Sequence, residues 1–230
     1  MAPRYAIYYA PDVSDPLWAR ANQWLGRDPV TGCMVREPIP PLAREELDRL
    51  TVSARRYGFH ATLKAPMALA SDVSEAELQD NLARFAAEHA PVDLGPLELV
   101  SLHGFLALIP QPTEALQDLA AHVVESFEPF RAPLSLKDQA RRAAADLTPR
   151  QLELLGAYGY PYVFEEFQFH MTLSDRLEAV DHDRARAAAE AWFAPVLARP
   201  VQLDRLCLFV EDAAGEPFRR TAEFVLSRPA

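Results

Sequence analysis

A short motif occurs twice in this chain, once in each half. Residues 59–63 and 169–173 share the pattern Phe-His-x-Thr-Leu, and the two histidines, His60 and His170, are 110 residues apart. Chance alone would give about 0.2 His-x-Thr triplets in 230 residues that contain 6 His and 7 Thr. Two copies in the same context therefore predict two similar halves, each presenting one histidine and one threonine.

Alternating polar and apolar residues around both motifs predict β-strands over 55–65 and 164–174. Successive side chains of a strand point to opposite faces, so His60 and Thr62 would share one face, as would His170 and Thr172. The aromatic and aliphatic residues between them would face the core. A slip of one residue would bury the polar face, so the register should be strongly fixed.

Two histidines on facing strands suit acid–base chemistry on a phosphodiester. Hydrolysis of a cyclic phosphate needs a base that activates water and an acid that protonates the leaving oxygen, and the ordinary His pKa near 6.5 fits both tasks. Threonine hydroxyls can donate hydrogen bonds to the non-bridging phosphate oxygens. The predicted catalytic residues are His60, His170, Thr62 and Thr172. This chemistry requires no metal, and no cofactor is predicted.

Five further residues are predicted to bind the substrate. By strand alternation Lys64 and Arg56 share the face of His60 and would add positive charge near a phosphate, although solvated surface positions are the ordinary alternative for both. Gln168 and Ser174 share the face of His170 by the same argument. Tyr8 lies on the expected neighbouring strand and would wall the cleft, unless it belongs to the core.

The remaining elements follow the order strand, helix, strands in both halves. Residues 131–160 interrupt that order with two short helices, and we interpret this segment as an insertion or a lid. Strands are predicted at 4–9, 97–103, 105–109, 201–210 and 218–226, and helices at 15–25, 42–50, from a cap at Ser74 to about His89, from a cap at Thr113 to Phe127, and at 183–197 with Asp181 as the cap.

Composition and net charge limit the classes of partner that we expect this protein to bind. A net charge of −10 argues against a protein that grips long nucleic acid, because such binding depends on clustered Lys and Arg. Cys33 and Cys207 are far apart and form neither a disulfide framework nor a zinc motif, which favours a reducing, cytoplasmic setting. No signal peptide and no membrane-spanning run of roughly 20 apolar residues is predicted. We expect a small phosphorylated substrate and no membrane partner; the sequence does not indicate an oligomeric state.

The motifs resemble those of the two-histidine (2H) phosphoesterases, a superfamily that includes bacterial RNA 2',3'-cyclic phosphodiesterases. That family's pattern is His-hydrophobic-Thr/Ser-hydrophobic, present twice, and residues 60–63 and 170–173 match it. Ala61 is a small version of the usual hydrophobic residue. Longer stretches resemble one branch of the superfamily, associated with phosphonate metabolism; they are 4–11, 24–28, 56–66 and 158–162.

The resemblance implies a single bilobal α+β domain over residues 1–230, in which each lobe has an antiparallel sheet with outer helices and the two motif strands line a central cleft. It also implies a metal-independent phosphodiesterase that hydrolyses a small cyclic phosphate, such as a ribose cyclic phosphate of phosphonate breakdown. Two alternatives stay open. The substrate would be an RNA end with a 2',3'-cyclic phosphate, or the cleft would bind a phosphorylated ligand without turnover.

Overall fold

The computed structural model describes residues 3–143 and 146–227. Its strands are β1 (Arg4–Tyr9), β2 (Ala61–Met67), β3 (Val92–Gly95), β4 (Glu98–Leu102), β5 (Phe105–Ile109), β6 (Met171–Thr172), β7 (Val201–Leu203), β8 (Arg205–Glu211) and β9 (Arg219–Val225). Its α-helices are α1 (Pro16–Leu25), α2 (Arg44–Leu50), α3 (Val52–Tyr57), α4 (Glu75–Glu88), α5 (Glu114–Ser126), α6 (Leu136–Ala143), α7 (Pro149–Tyr158) and α8 (Ala179–Leu197). Short 3₁₀ turns cover Glu128–Phe130 and Phe164–Glu166.

The strands form a large and a small antiparallel sheet. The large sheet has the order β4-β5-β6-β2-β1-β8-β9, and β3 pairs with β7 in the small one. The α+β class is therefore confirmed. The arrangement of the sheets differs from the expectation, because the resemblance implied a separate sheet in each lobe. Here β2 and β6 pair at Ala61 and Met171, and this contact joins strands from both halves into one continuous sheet.

Local capping explains where several helices begin. The Ser74 side chain accepts a hydrogen bond from the amide of Glu77, whose carboxylate accepts one from the Ser74 amide, and this capping box starts α4 as predicted. Thr113 caps α5, also as predicted. The helix predicted at 183–197 is present as α8, but its predicted start and its predicted cap were wrong. That helix begins at Ala179, and Asp181 lies in its first turn, where its carboxylate pairs with Arg49 instead of capping.

The strands predicted around the two motifs are much shorter than expected. Residues up to Tyr57 continue helix α3, and the chain then turns at Gly58, which adopts φ 80°. A Cβ atom at Gly58 would lie 2.9 Å from the Pro29 ring, so glycine is required there by both conformation and space. Around the second motif only β6 pairs as a strand, because residues 164–166 form a 3₁₀ turn. The predicted strand 201–210 is divided into β7 and β8, which belong to different sheets.

The hydrophobic core lies behind the motif strands and draws on both halves of the chain. The apolar residues of the motifs are buried as predicted, whereas the histidines and threonines stay partly accessible. Trp24 on α1 donates an indole hydrogen bond of 2.8 Å to the carbonyl of Leu173, which ties α1 to the second motif. The buried motif residues are Phe59, Ala61, Leu63, Phe169, Met171 and Leu173.

The two short helices predicted within 131–160 are α6 and α7. Thr148 and Gln151 form a capping box at the start of α7, with Pro149 at the first helical position. Their role as a lid stays a prediction. None of the helices in residues 3–143 and 146–227 is long and apolar enough to cross a membrane.

Candidate active site

The two histidines are held in the same way. His60 Nδ1 lies 2.8 Å from the carbonyl oxygen of Gly58, and His170 Nδ1 lies 2.8 Å from that of Gln168. A carbonyl oxygen can only accept a hydrogen bond, so Nδ1 must be the protonated nitrogen of each neutral ring. Nε2 is consequently the unprotonated nitrogen, which carries the lone pair, in both residues. This is the atom that can accept a proton or, in the imidazolium form, donate one.

The strand register brings the two motifs together crosswise. Since Ala61 pairs with Met171 in antiparallel strands, His60 stands opposite Thr172 and His170 opposite Thr62. Each histidine thus lies beside the threonine of the other motif. Thr62 Oγ1 is also 3.3 Å from His60 Nε2 within its own motif. All four predicted catalytic residues line one cleft of about 540 Å³.

A single position on the neighbouring strands makes the two histidines unequal. Tyr8 on β1 stands opposite Thr62, and the corresponding partner of Thr172 on β5 is Ala107. The Tyr8 ring stacks on His60, with ring centroids 3.8 Å apart and an angle of 20° between the planes. The ring of Phe105 is 5.7 Å from that of His170 and tilted by 49°. His60 is therefore the more enclosed of the two.

Both imidazoles resist protonation in the free protein. Burial lowers the pKa of His60 to about 4, the hydrogen bond to Gly58 opposes that shift, and charge on His170 adds to it. Burial also lowers the pKa of His170, against the hydrogen bond to Gln168 and together with repulsion from His103. Because charge on His170 lowers the pKa of His60, the two titrations are linked.

The structure does not bring Lys64 and Arg56 into the cleft, and this part of the sequence prediction is wrong. Lys64 Nζ donates to the Val124 carbonyl at 3.0 Å and pairs with Glu128 at 2.9 Å, because α5 and the turn after it cover that end of β2. Arg56 belongs to α3, so strand alternation does not apply to it. Its guanidinium pairs with buried Glu211 and lies over the Tyr57 ring.

Gln168 and Ser174 occupy supporting positions. The Gln168 side chain is exposed and does not line the cleft, while its backbone carbonyl orients His170. Ser174 does line the cleft, yet it is buried and its hydroxyl is already engaged. Its Oγ accepts from the Leu106 amide at 2.9 Å and donates to the Asp175 carbonyl at 2.8 Å. Ser174 thereby joins the end of β6 to β5.

Two tyrosines that the sequence argument did not single out complete an aromatic wall with Tyr8. Tyr57, at the end of α3, has its ring 6.2 Å from that of His60, and Tyr160 follows α7. Burial raises the pKa of Tyr160 to about 12; the neighbouring Tyr162 adds to this shift and Arg142 opposes it. The Tyr160 hydroxyl therefore stays protonated. Tyr160 thus brings the 131–160 segment to the edge of the cleft. The Tyr-rich stretch 158–162 was the available sequence signal.

Asp175 and Arg176, which follow Ser174 just after the second motif, were also missed, although their position close to the motif was a signal. Asp175 accepts hydrogen bonds from the amides of Ser53 and Ala54, at 2.9 to 3.0 Å, and its own amide donates to the Leu50 carbonyl at 2.8 Å. Arg176 is exposed at the cleft. Across the two described ranges, no group of three or more His, Cys, Asp or Glu is arranged to hold a metal ion.

Two curated proteins are similar to nearly the whole chain. Both are named "Ribose 1,5-bisphosphate phosphokinase PhnN". The one from Janthinobacterium sp. (strain Marseille) is 41% identical over 222 residues, and the one from Laribacter hongkongensis (strain HLHK9) is 38% identical over 217 residues. These matches cover 94% of this chain but only 49% and 50% of the relatives. The chain therefore spans about half the length of the curated relatives it matches.

Solved structures give weaker likenesses. The protein TT0787 of Thermus thermophilus aligns with a TM-score of 0.45 and 17% identity, and E. coli LigT complexed with phosphate aligns with 0.43 and 15%. Each alignment covers 99% of this chain and 100% of the other. Because these TM-scores and identities are low, any assignment of function must rest on the motifs and the cleft of this chain. A family model described as "Protein of unknown function (DUF1045)" matches residues 62–219, and the chain belongs to that family.

Proposed function

We propose that this protein is a phosphodiesterase of the two-histidine type that opens a small cyclic phosphate, with ribose 1,2-cyclic phosphate as the substrate class. One observation carries the proposal. Two imidazoles with the same tautomer share one cleft, each beside a threonine hydroxyl of the other motif. Such a pair provides proton acceptor and proton donor to the two sides of one phosphorus atom.

The unequal surroundings of the histidines suggest how the roles divide. His60 has the pKa of about 4 and is neutral near pH 6, so we assign it as the base. His60 Nε2 takes a proton from water while the water oxygen bonds to phosphorus. His170, protonated at Nε2, gives its proton to the sugar oxygen as the bond from that oxygen to phosphorus breaks. Thr62 and Thr172 donate hydrogen bonds to the non-bridging oxygens, and exchange with solvent restores both imidazoles.

The names of the curated relatives support a sugar phosphate as the substrate. Breaking the bond between phosphorus and O2 of a ribose 1,2-cyclic phosphate leaves a phosphate monoester on O1. The curated relatives are named for phosphorylation of a ribose that carries a 1-phosphate, and this chain matches about half of each. A ring-opening activity would therefore produce the type of compound that the name of the relatives describes. The resemblance to a branch associated with phosphonate metabolism agrees with this assignment.

The aromatic wall favours a second candidate, the end of an RNA that bears a 2',3'-cyclic phosphate. Tyr57 and Tyr160 line the cleft and are partly exposed, and a nucleobase can stack on such rings. This activity would increase with the number of nucleotides attached to the cyclic end, whereas an enzyme for sugar phosphates would gain nothing from them. Turnover of 2',3'-cyclic mononucleotides and short oligonucleotides separates the two.

Turnover by histidine variants tests the proposal directly. We expect His60→Asn and His170→Asn each to lower kcat on ribose 1,2-cyclic phosphate by about 10²- to 10⁴-fold, as the loss of a general acid or base does. The matched control is His122→Asn, because His122 lies on α5 and does not line the cleft; it should keep full activity. Phosphorus NMR identifies the product, EDTA is present throughout, and circular dichroism checks folding.

Two results would contradict the proposal. Activity that survives in either cleft variant would exclude the paired mechanism. A wild-type protein that binds the cyclic phosphates but never releases a product would reduce the cleft to a ligand-binding site, which is the alternative left open by the sequence.

A further inference from the structure

The end of the cleft near His170 contains a cation for which the ring-opening step has no use. Arg176 follows β6 in the chain and lines the cleft. Its stem packs across the β4–β5 turn, where a Cβ atom at Gly104 would come within 3.2 Å of Arg176 Cγ. Its Nε donates to the carbonyl of His103 at 3.1 Å. The turn therefore holds the side chain in place.

The terminal nitrogens of Arg176 have no protein acceptor in residues 3–143 and 146–227, and no carboxylate pairs with it there. The acid that lines the same cleft, Asp175, is occupied by the amides of Ser53 and Ala54. Other arginines and lysines near the motifs are neutralised, as Lys64 is by Glu128 and Arg56 by Glu211. Among the described residues, Arg176 is the one Lys or Arg that lines the cleft.

A guanidinium with two free nitrogens matches the geometry of a phosphate monoester, to which it can donate two parallel hydrogen bonds. The phosphate being opened has other partners in the proposed mechanism, namely two threonine hydroxyls and two imidazoles. We propose that Arg176 binds a second phosphate of the substrate, carried by the sugar away from the reacting ring. This inference rests on the proposed function and names its substrate class as a sugar cyclic phosphate that also bears a phosphate monoester.

The names of the relatives agree with this substrate class. A ribose 1,2-cyclic phosphate that also carries a 5-phosphate would open to a ribose 1,5-bisphosphate, the compound in the name of both curated relatives. In that product the 1-phosphate arises between the histidines. The 5-phosphate would be the group that Arg176 holds near the β4–β5 turn.

The test compares two substrates that differ only in the second phosphate. Wild type and Arg176→Gln are assayed on ribose 1,2-cyclic phosphate with and without a 5-phosphate. We expect the variant to lose about 10- to 100-fold in kcat/KM on the 5-phosphorylated compound, as the loss of a charged hydrogen bond does, and mostly through KM. On the compound without it, kcat/KM should stay within about twofold. The matched control is Arg186→Gln, since Arg186 lies on α8 and pairs with Glu190 at the surface.

An equal loss on both compounds would overturn the inference, because Arg176 would then act on the reacting phosphate. An unchanged kcat/KM on both would overturn it as well. Calorimetry with ribose 5-phosphate decides the matter independently of turnover. Weaker binding by Arg176→Gln, by about 10-fold, supports the inference, while equal affinity, or no binding to wild type, refutes it. A wild type that binds ribose 5-phosphate through Arg176 but opens neither ring would refute the proposed function alone.

Discussion

At the scale of single residues, one substitution across the internal repeat distinguishes the two histidines. Tyr8 stacks on His60, and the corresponding position beside the second motif is Ala107. A buried aromatic neighbour removes water from the imidazole and disfavours its charged form, so the more enclosed ring becomes the better candidate for a base that is neutral before reaction. The sequence showed both motifs but not this difference, which depends on strand pairing.

These pKa shifts predict an acidic optimum. Activity requires a neutral base and a protonated acid, so kcat/KM should rise as His60 deprotonates near pH 4 and fall as His170 deprotonates below its ordinary 6.5. We therefore expect a bell-shaped profile with its maximum below pH 6.5, whose limbs belong to the coupled pair. The measurement is kcat/KM from pH 3.5 to about 8 in buffers of constant ionic strength.

Tyr8→Ala provides the control for that profile, because it gives His60 the neighbour that His170 already has. Water would reach the ring, the pKa of His60 would rise toward 6.5, and the acid limb would move to higher pH. An acid limb that stays in place in a folded variant would contradict the assignment of His60 to it. A maximum of kcat/KM above pH 7 in the wild type would also contradict that assignment.

At the scale of elements, helix α3 links the two motifs. The carboxylate of Asp175, next to the second motif, caps the amino end of α3, and the chain leaves the other end through Gly58, whose carbonyl orients His60. Local sequence did not predict this helix. Its cap comes from a residue 122 positions later in the chain, and alternation of polar residues over 55–65 favoured a strand instead. Elements with caps in the local sequence, such as α4 and α5, were predicted well.

Asp175→Ala should disturb both folding and turnover. The loss of a helix cap predicts a decrease of about 1–2 kcal/mol in the free energy of unfolding, measured with urea. Since α3 also sets the position of Gly58, kcat should fall more than KM rises. Asp175→Asn keeps one acceptor oxygen and should recover part of both effects. A decrease in stability with unchanged kcat would show that Asp175 has no role in positioning His60.

At the scale of the whole molecule, buried charge connects the 131–160 segment to the motif strand. Glu128 accepts from Lys64 on β2 and from Arg131, at the start of that segment. The side chains of Lys64 and Arg131 are only 5% and 11% exposed. Sequence alternation predicted that Lys64 shares the face of Thr62, but a register shift between β1 and β2 places Thr62 opposite Tyr8 and Lys64 opposite Ile7, so the alternation does not hold there. Alternation could reveal neither this irregularity nor the cover that α5 gives to this end of the strand, because both depend on tertiary packing.

Glu128→Gln should therefore destabilise the protein strongly. The substitution leaves two poorly exposed cations without their carboxylate, and we expect the free energy of unfolding to decrease by about 3 kcal/mol or more. Urea unfolding measures it, with Glu125→Gln as the control, because Glu125 is exposed on α5. Turnover of the folded fraction should stay within about twofold. A loss of turnover without any loss of stability would instead indicate that Lys64 contacts the substrate.

The pairing of β2 with β6 has a consequence for how a substrate is received. Many enzymes bring acid and base together by closing two domains over a ligand, and part of the binding energy is used for that movement. Here each histidine immediately precedes one of two adjacent strands, β2 and β6, and backbone pairing keeps neighbouring strands of a sheet about 4.8 Å apart. The relative position of the two motifs is thus set during folding, before any substrate arrives.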